Sequence, residues 1–153
     1  MNCQKKPVIF LVLIVLVGIF LRVYNLDAES LWADETFTVR YSQSPSFPSL
    51  VEKIKTTEGA PFGHYWLLQH WIKVFGNSEF SVRFPSVIFG VLSILMIYLL
   101  GKHLFNAMIG LIAALLLSTS MLQVLFSQEA RLYAMYGFLA LFSTYLLFLI
   151  IEC

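Results

Sequence analysis

The sequence predicts an all-α, polytopic helical membrane protein with four transmembrane helices and a long outer first loop carrying membrane-surface helices. Three observations predict it. The chain has 153 residues, of which 59% are hydrophobic and 12% charged, with a mean hydropathy of +0.79. Soluble domains carry about 25% charged residues, so this chain has too little polar surface to cover a water-soluble globule. Its apolar residues are gathered into uncharged runs of spanning length with basic residues at their edges. Its charged residues are concentrated between the first and second of those runs.

The first run, residues 8–21, follows Lys5 and Lys6 and reaches spanning length with Pro7 and the flank to Val23. That is near the short end of the roughly 17–25 residues a bilayer requires. The rival is a cleaved signal peptide, but no A-x-A site follows the run. Three longer runs come later, so the spans are placed at about 7–23, 83–101, 105–126 and 131–151, with an outer loop at 24–82. The whole chain, 1–153, reads as one transmembrane module.

Residues 61–75 are also apolar, but they contain His64, Gln69, His70 and Lys73 among the aromatics Phe62, Tyr65, Trp66 and Trp71. Aromatic and basic side chains together suit the headgroup boundary, so this segment reads as a surface helix, with a fifth span as the alternative. Lysines and arginines favour the cytoplasmic side of span ends. Four spans put Lys5-Lys6 and Lys102-His103 together on that side, whereas five separate them. The N-terminus is then cytoplasmic, and Arg22, Arg83 and Arg131 lie at outer ends, against the usual bias.

The loop begins with SLWADETFTV at 30–39. Ser30 is the expected N-cap of a helix running to about Tyr41, with Asp34 and Glu35 in its first turn. Pro45 and Pro48 are expected to end it, and residues 49–55 to form another short helix. On this topology Asp34-Glu35, Glu58 to His64, Glu79 to Arg83, and Gln128-Glu129-Ala130-Arg131 meet on one membrane face. Ionisable groups at membrane depth are costly and mark function by default. Ser120, Gln123, Ser127 and Arg131 are spaced to form one polar stripe on a helix facing the bundle interior.

Each group also has a plain structural reading. First-turn acids favour helix starts, span-end arginines snorkel to lipid phosphates, and serine or glutamine in a span joins helices. His64 and His70 are a weak metal signal. Cys3 and Cys153 have no ligand spacing, no HExxH, nucleophile elbow or P-loop is present, and the ten Lys and Arg residues form no nucleic-acid-binding stripe. Together, a carboxylate able to deprotonate a hydroxyl and arginines suited to phosphate beside membrane-surface helices fit chemistry on a lipid-linked phosphate.

Four stretches, SLWADETFTV (30–39), EGAPFGHYWLLQHW (58–71), FGNSEFSVRFPSVIFGVLSILMIYLLGKHLF (75–105) and SQEARLYA (127–134), give the chain a recognisable pattern. In order, they resemble the N-terminal part of GT-C glycosyltransferases of the dolichyl-phosphate-mannose–protein mannosyltransferase and aminoarabinose transferase type. Where relatives often carry H/N-P-P, this chain has Ala60-Pro61-Phe62. Relatives are far longer, so the resemblance implies an N-terminal fragment or a truncated gene product.

The resemblance implies a multi-pass cell-membrane transferase, its active-site loop on the outer face, acting on a polyprenyl-phosphate sugar donor and a lipid, glycan or protein acceptor. Asp34 is then the base, with inversion at the sugar, and Glu35 its support. Arg83 and Arg131 are the implied donor-phosphate ligands, with Glu129, Gln128 and His64 as further substrate-binding groups. No metal ligands are assigned, and the sequence does not decide whether a divalent metal takes part. The alternative from another class is a non-catalytic four-helix membrane protein that binds lipid or partner subunits.

Overall fold

The computed structural model describes residues 5–57 and 62–152, and these form eight α-helices and no strand. They are α1 (Lys5–Val23), α2 (Ala33–Ser42), α3 (Phe47–Thr57), α4 (Gly63–Phe75), α5 (Glu79–Leu104), α6 (Ala107–Thr119), α7 (Met121–Gln128) and α8 (Tyr133–Ile151). Cys3, Cys153, Glu58 and the Ala60-Pro61 pair lie outside the described residues.

Helix α5 is the centre of the bundle and packs against α1, α4, α6, α7 and α8. It starts at Ser78, whose hydroxyl accepts from the Ser81 N–H at 3.3 Å, the usual N-cap arrangement. Pro85 lies inside this helix. Its missing N–H frees the carbonyl four residues back, which is that of Ser81. The Trp71 indole of α4 donates to this carbonyl at 2.9 Å, so the vacancy becomes the joint between α4 and α5.

Helices α5 and α8 are each long and apolar enough to cross a membrane, and α6 with α7 makes a third candidate if the bent pair is one span. Pro7–Val23 is apolar but shorter. The expected span at 105–126 is therefore not one straight helix: it breaks after Thr119, and its two halves diverge by 58°. The expected polar stripe through Ser120, Gln123, Ser127 and Arg131 is corrected with it. Ser120 sits at the break, and Arg131 lies in the non-helical link before α8.

Arg22 explains how the break is tolerated. It is fully buried and donates to the carbonyls of Ser118 at 3.1 Å and Leu117 at 3.4 Å, which the interrupted helix leaves open. It also bonds Gly18 O and Ser127 Oγ, both at 3.1 Å. Gly90 makes room for this group, because an added Cβ would overlap Ser127 Oγ and Arg22 Nε. At the other end of the bundle Gly101 and Gly110 face each other, and an added Cβ on Gly101 would come 2.9 Å from Gly110 Cα. Small residues permit this close approach of α5 and α6.

Helices α2, α3 and α4 form a cap on one end of the bundle. Leu50, Ile54 and Tyr65 pack within it, while Val39 and Leu68 join it to Val82 of α5 and Ala130 of the α7–α8 link. Helix α2 starts later than expected: its N-cap is Trp32, not Ser30, and the Glu35 side chain reaches back to the Trp32 N–H at 3.0 Å. Pro48 does not terminate α2 but occupies the first turn of α3, where the absent N–H costs nothing.

Candidate functional site

Asp34 and Glu35 are neighbours in the first turn of α2, yet they point into different surroundings. A helix turns about 100° per residue. At this register the Asp34 side chain is 74% exposed and the Glu35 side chain 2%.

Both Glu35 oxygens are occupied. Oε1 accepts from Arg83 Nε at 2.9 Å and from the Ala130 N–H at 2.7 Å. Oε2 accepts from Arg83 Nη2 at 2.8 Å and from the Trp32 N–H at 3.0 Å. Burial opposes the charge on Glu35, but the bonds from Arg83, Ala130 and Trp32, with the Arg83 charge, outweigh it and hold the carboxyl below its usual range.

Arg83 gives its remaining N–H groups to the carbonyls of Leu26 at 2.8 Å, Glu29 at 2.9 Å and Ser30 at 3.3 Å. A guanidinium has five N–H donors, and these five bonds use them all. Asn25 delivers the Leu26 carbonyl by turning the chain after α1 with φ +57°, a conformation asparagine tolerates. In this arrangement Arg83 joins α5, α2 and the 26–30 segment, and all five of its N–H groups are used within the protein.

Arg131 stands on the open side. Its Nη1 donates to Asp34 O at 3.3 Å and Thr38 Oγ1 at 3.2 Å, and its Nη2 lies 4.0 Å from Asp34 Oδ2. Asp34, Arg131, Glu129 and Tyr133, with the start of α2, line a cleft of about 260 Å³. A second cleft, of about 480 Å³, lies beside it between the end of α1, residues 24–32 and α7. Leu21, Leu26, Val124 and Leu125 give it apolar walls, and Arg83, Gln128, Glu29 and Glu129 give it polar ones.

Glu129 is half-buried. Burial and the charges of Glu35 and Asp34 push its carboxyl up, outweighing the pull of Arg131 and Arg83. Gln128 Nε2 donates to the carbonyls of Tyr24 at 3.0 Å, Leu21 at 3.1 Å and Arg22 at 3.4 Å, closing the end of α1. His64 is buried and lines neither cleft. Burial, then the Arg131 charge, lowers its pKa to about 4, and its Nδ1 has no hydrogen-bond partner.

The residues singled out in the sequence thus gather at one end of the bundle, with Asp34, Arg131 and Glu129 lining the smaller cleft and Gln128 and Arg83 the larger. Sequence reasoning did not foresee the part played by Arg22. The signal was an arginine at the end of an apolar run that had no partner in sequence. No group of three or more His, Cys, Asp or Glu residues suited to a metal ion occurs among the described residues.

The geometry and the comparisons with known proteins agree on a class: an integral membrane protein of helical spans whose polar groups collect at one end. Residues 59–152 match the family model of dolichyl-phosphate-mannose-protein mannosyltransferase, and the chain belongs to that family. It is similar to undecaprenyl phosphate-alpha-4-amino-4-deoxy-L-arabinose arabinosyl transferase 2 of Pseudomonas fluorescens (strain Pf0-1), with 35% identity over 103 residues. That match covers 60% of this chain, and the chain spans 18% of that relative's length. No solved structure matches it.

Proposed function

We propose that this chain forms the acceptor-activating part of a membrane glycosyltransferase that moves a sugar from a polyprenyl-phosphate donor to an acceptor hydroxyl. One observation carries the reading: of two adjacent carboxylates, Glu35 is spent inside the protein and Asp34 is left in a cleft beside a cation. A general base must reach its substrate's proton, and Asp34 is placed to do so.

Asp34 accepts the proton of the acceptor hydroxyl. The oxygen attacks the anomeric carbon, the bond from that carbon to the phosphate oxygen breaks, and polyprenyl phosphate leaves with inversion. Arg131, beside Asp34, fixes the start of α2 through the Asp34 carbonyl and Thr38, and the leaving phosphate lies in the larger cleft, across the sugar from Asp34 as inversion requires. Arg83 supports the reaction indirectly, through Glu35, by fixing the start of α2 against α5 and Ala130. The larger cleft, with its apolar walls, suits the first part of the polyprenyl chain.

Four spans with the cytoplasmic N-terminus and the site on the outer face fit the helix ends. The ends of α1 and α7 and the start of α5 meet at the site, while His103 and Glu152 pair at 3.1 Å at the far end. Single cysteines at exposed positions 43 and 102 are expected to label from opposite sides of the membrane. Labelling from the same side overturns the topology.

The catalytic test is Asp34→Asn in membranes containing the intact protein. Transfer from a polyprenyl-phosphate sugar is expected to fall by about 10²–10⁴-fold, the usual worth of a general base. Thermal stability should be unchanged, because the side chain is exposed. Transfer at the wild-type rate rules Asp34 out as the base.

A further inference from the structure

The two clefts share a boundary. Trp32 and Glu129 line both, and no other described residue does. The Trp32 backbone is held by Glu35, yet the residue is 66% exposed, so the ring is displayed from a fixed point. The Glu129 carboxyl makes no side-chain hydrogen bond to protein among the described residues. It is held across the boundary by the short link between α7 and α8, whose Ala130 N–H is bonded to Glu35.

A pyranose has an apolar C–H face and a rim of hydroxyl groups. An indole ring suits the face, and a carboxylate with open acceptor positions suits the rim. If the lipid phosphate lies in the larger cleft and the acceptor hydroxyl beside Asp34 in the smaller, the sugar between them must occupy the shared boundary. The anomeric carbon is bonded to the one and attacked by the other.

We propose that Trp32 and Glu129 form the sugar subsite, with the indole packing on the ring face and the Glu129 carboxylate accepting hydrogen bonds from the sugar hydroxyls. The pair then selects which sugar is transferred. This inference rests on the donor and acceptor assignment of the two clefts given above.

The test measures binding by the intact protein in nanodiscs to three probes: undecaprenyl phosphate, its mannose ester, and its 4-amino-4-deoxy-L-arabinose ester. Trp32→Ala and Glu129→Ala are expected to weaken at least one sugar-bearing probe about tenfold and to leave undecaprenyl phosphate unchanged. Trp32→Phe should recover most of the loss, because a flat ring remains. Equal weakening of all three probes overturns the proposal, since Trp32 then serves as a lipid anchor or a structural residue. Unchanged binding of all three, or a wild-type protein that does not distinguish them, overturns it as well. The transfer assay on Asp34→Asn is separate. A sugar-selective loss at Trp32 combined with full activity of Asp34→Asn leaves the subsite standing and removes the base.

Discussion

Arg83 and Glu35 are joined by two parallel hydrogen bonds, Nε to Oε1 at 2.9 Å and Nη2 to Oε2 at 2.8 Å, with both side chains almost wholly buried. The fork of a guanidinium matches a carboxylate in this way, and an ammonium does not. The pair links the second span-length region of the sequence to the first turn of α2, so the position of Asp34 depends on it.

Removing one partner strands the other as a buried charge, which costs about 3–5 kcal/mol. Arg83→Ala and Glu35→Ala are both expected to lower the thermal unfolding midpoint of the detergent-solubilised protein markedly. Arg83→Lys should recover little of the loss. A double variant less destabilised than the sum of the single ones will show that the two act as a unit.

Acid should destabilise the protein through two groups in different windows. His64 has its folded pKa lowered from 6.5 to about 4, so between those values the unfolded chain takes up a proton that the folded one refuses. Stability therefore falls as the pH drops from about 6.5 to 4, by on the order of 3 kcal/mol in full. Glu35 is also held below its ordinary 4.5. Its contribution is present above that value and is lost as the pH falls further, through the folded pKa. Unfolding midpoints measured against pH should lose the upper window in His64→Gln and keep the lower one.

The buried arginine at the helix break gives a third expectation. Arg22→Leu leaves the carbonyls of Leu117 and Ser118 without a donor, at about 1–3 kcal/mol for each buried acceptor. Hydrogen exchange should speed up at amides around residues 118–124 first, because these flank the interruption. Protection equal to wild type there would show that the break needs no arginine.

Two glycines should respond in opposite directions to the same change. Gly101→Ala sets a methyl group against the Gly110 backbone, which cannot rotate away, and should cost about 1–3 kcal/mol. Gly137 in α8 has no neighbour within 4 Å of an added Cβ, so Gly137→Ala should stabilise by up to about 1 kcal/mol through helix propensity. Thermal unfolding of the two variants under one condition compares them directly.

Much of the arrangement was legible in the chain. The uncharged runs marked α5 and α8 because a bilayer-length helix needs unbroken apolar sequence. The placement of basic residues at the ends of the apolar runs singled out Arg22, Arg83 and Arg131, and each is engaged at the site end of the bundle. The break after Thr119 was hidden, because no proline marks it. Serine and threonine tolerate a helix and a bend equally, and the outcome here depends on a donor 96 positions away in sequence.

By itself, then, the sequence determined the helical membrane class, the long polar loop between the first two apolar runs, and the meeting of Asp34-Glu35 with Arg83 and the 128–131 turn. These follow from composition, run length and charge placement, which are properties of a chain before it folds. Only the tertiary structure decided which member of the acidic pair is open to a substrate. Two neighbours on a helix point about 100° apart, and the packing of α2 against Arg83 and Ala130 buries Glu35 and leaves Asp34 facing the cleft.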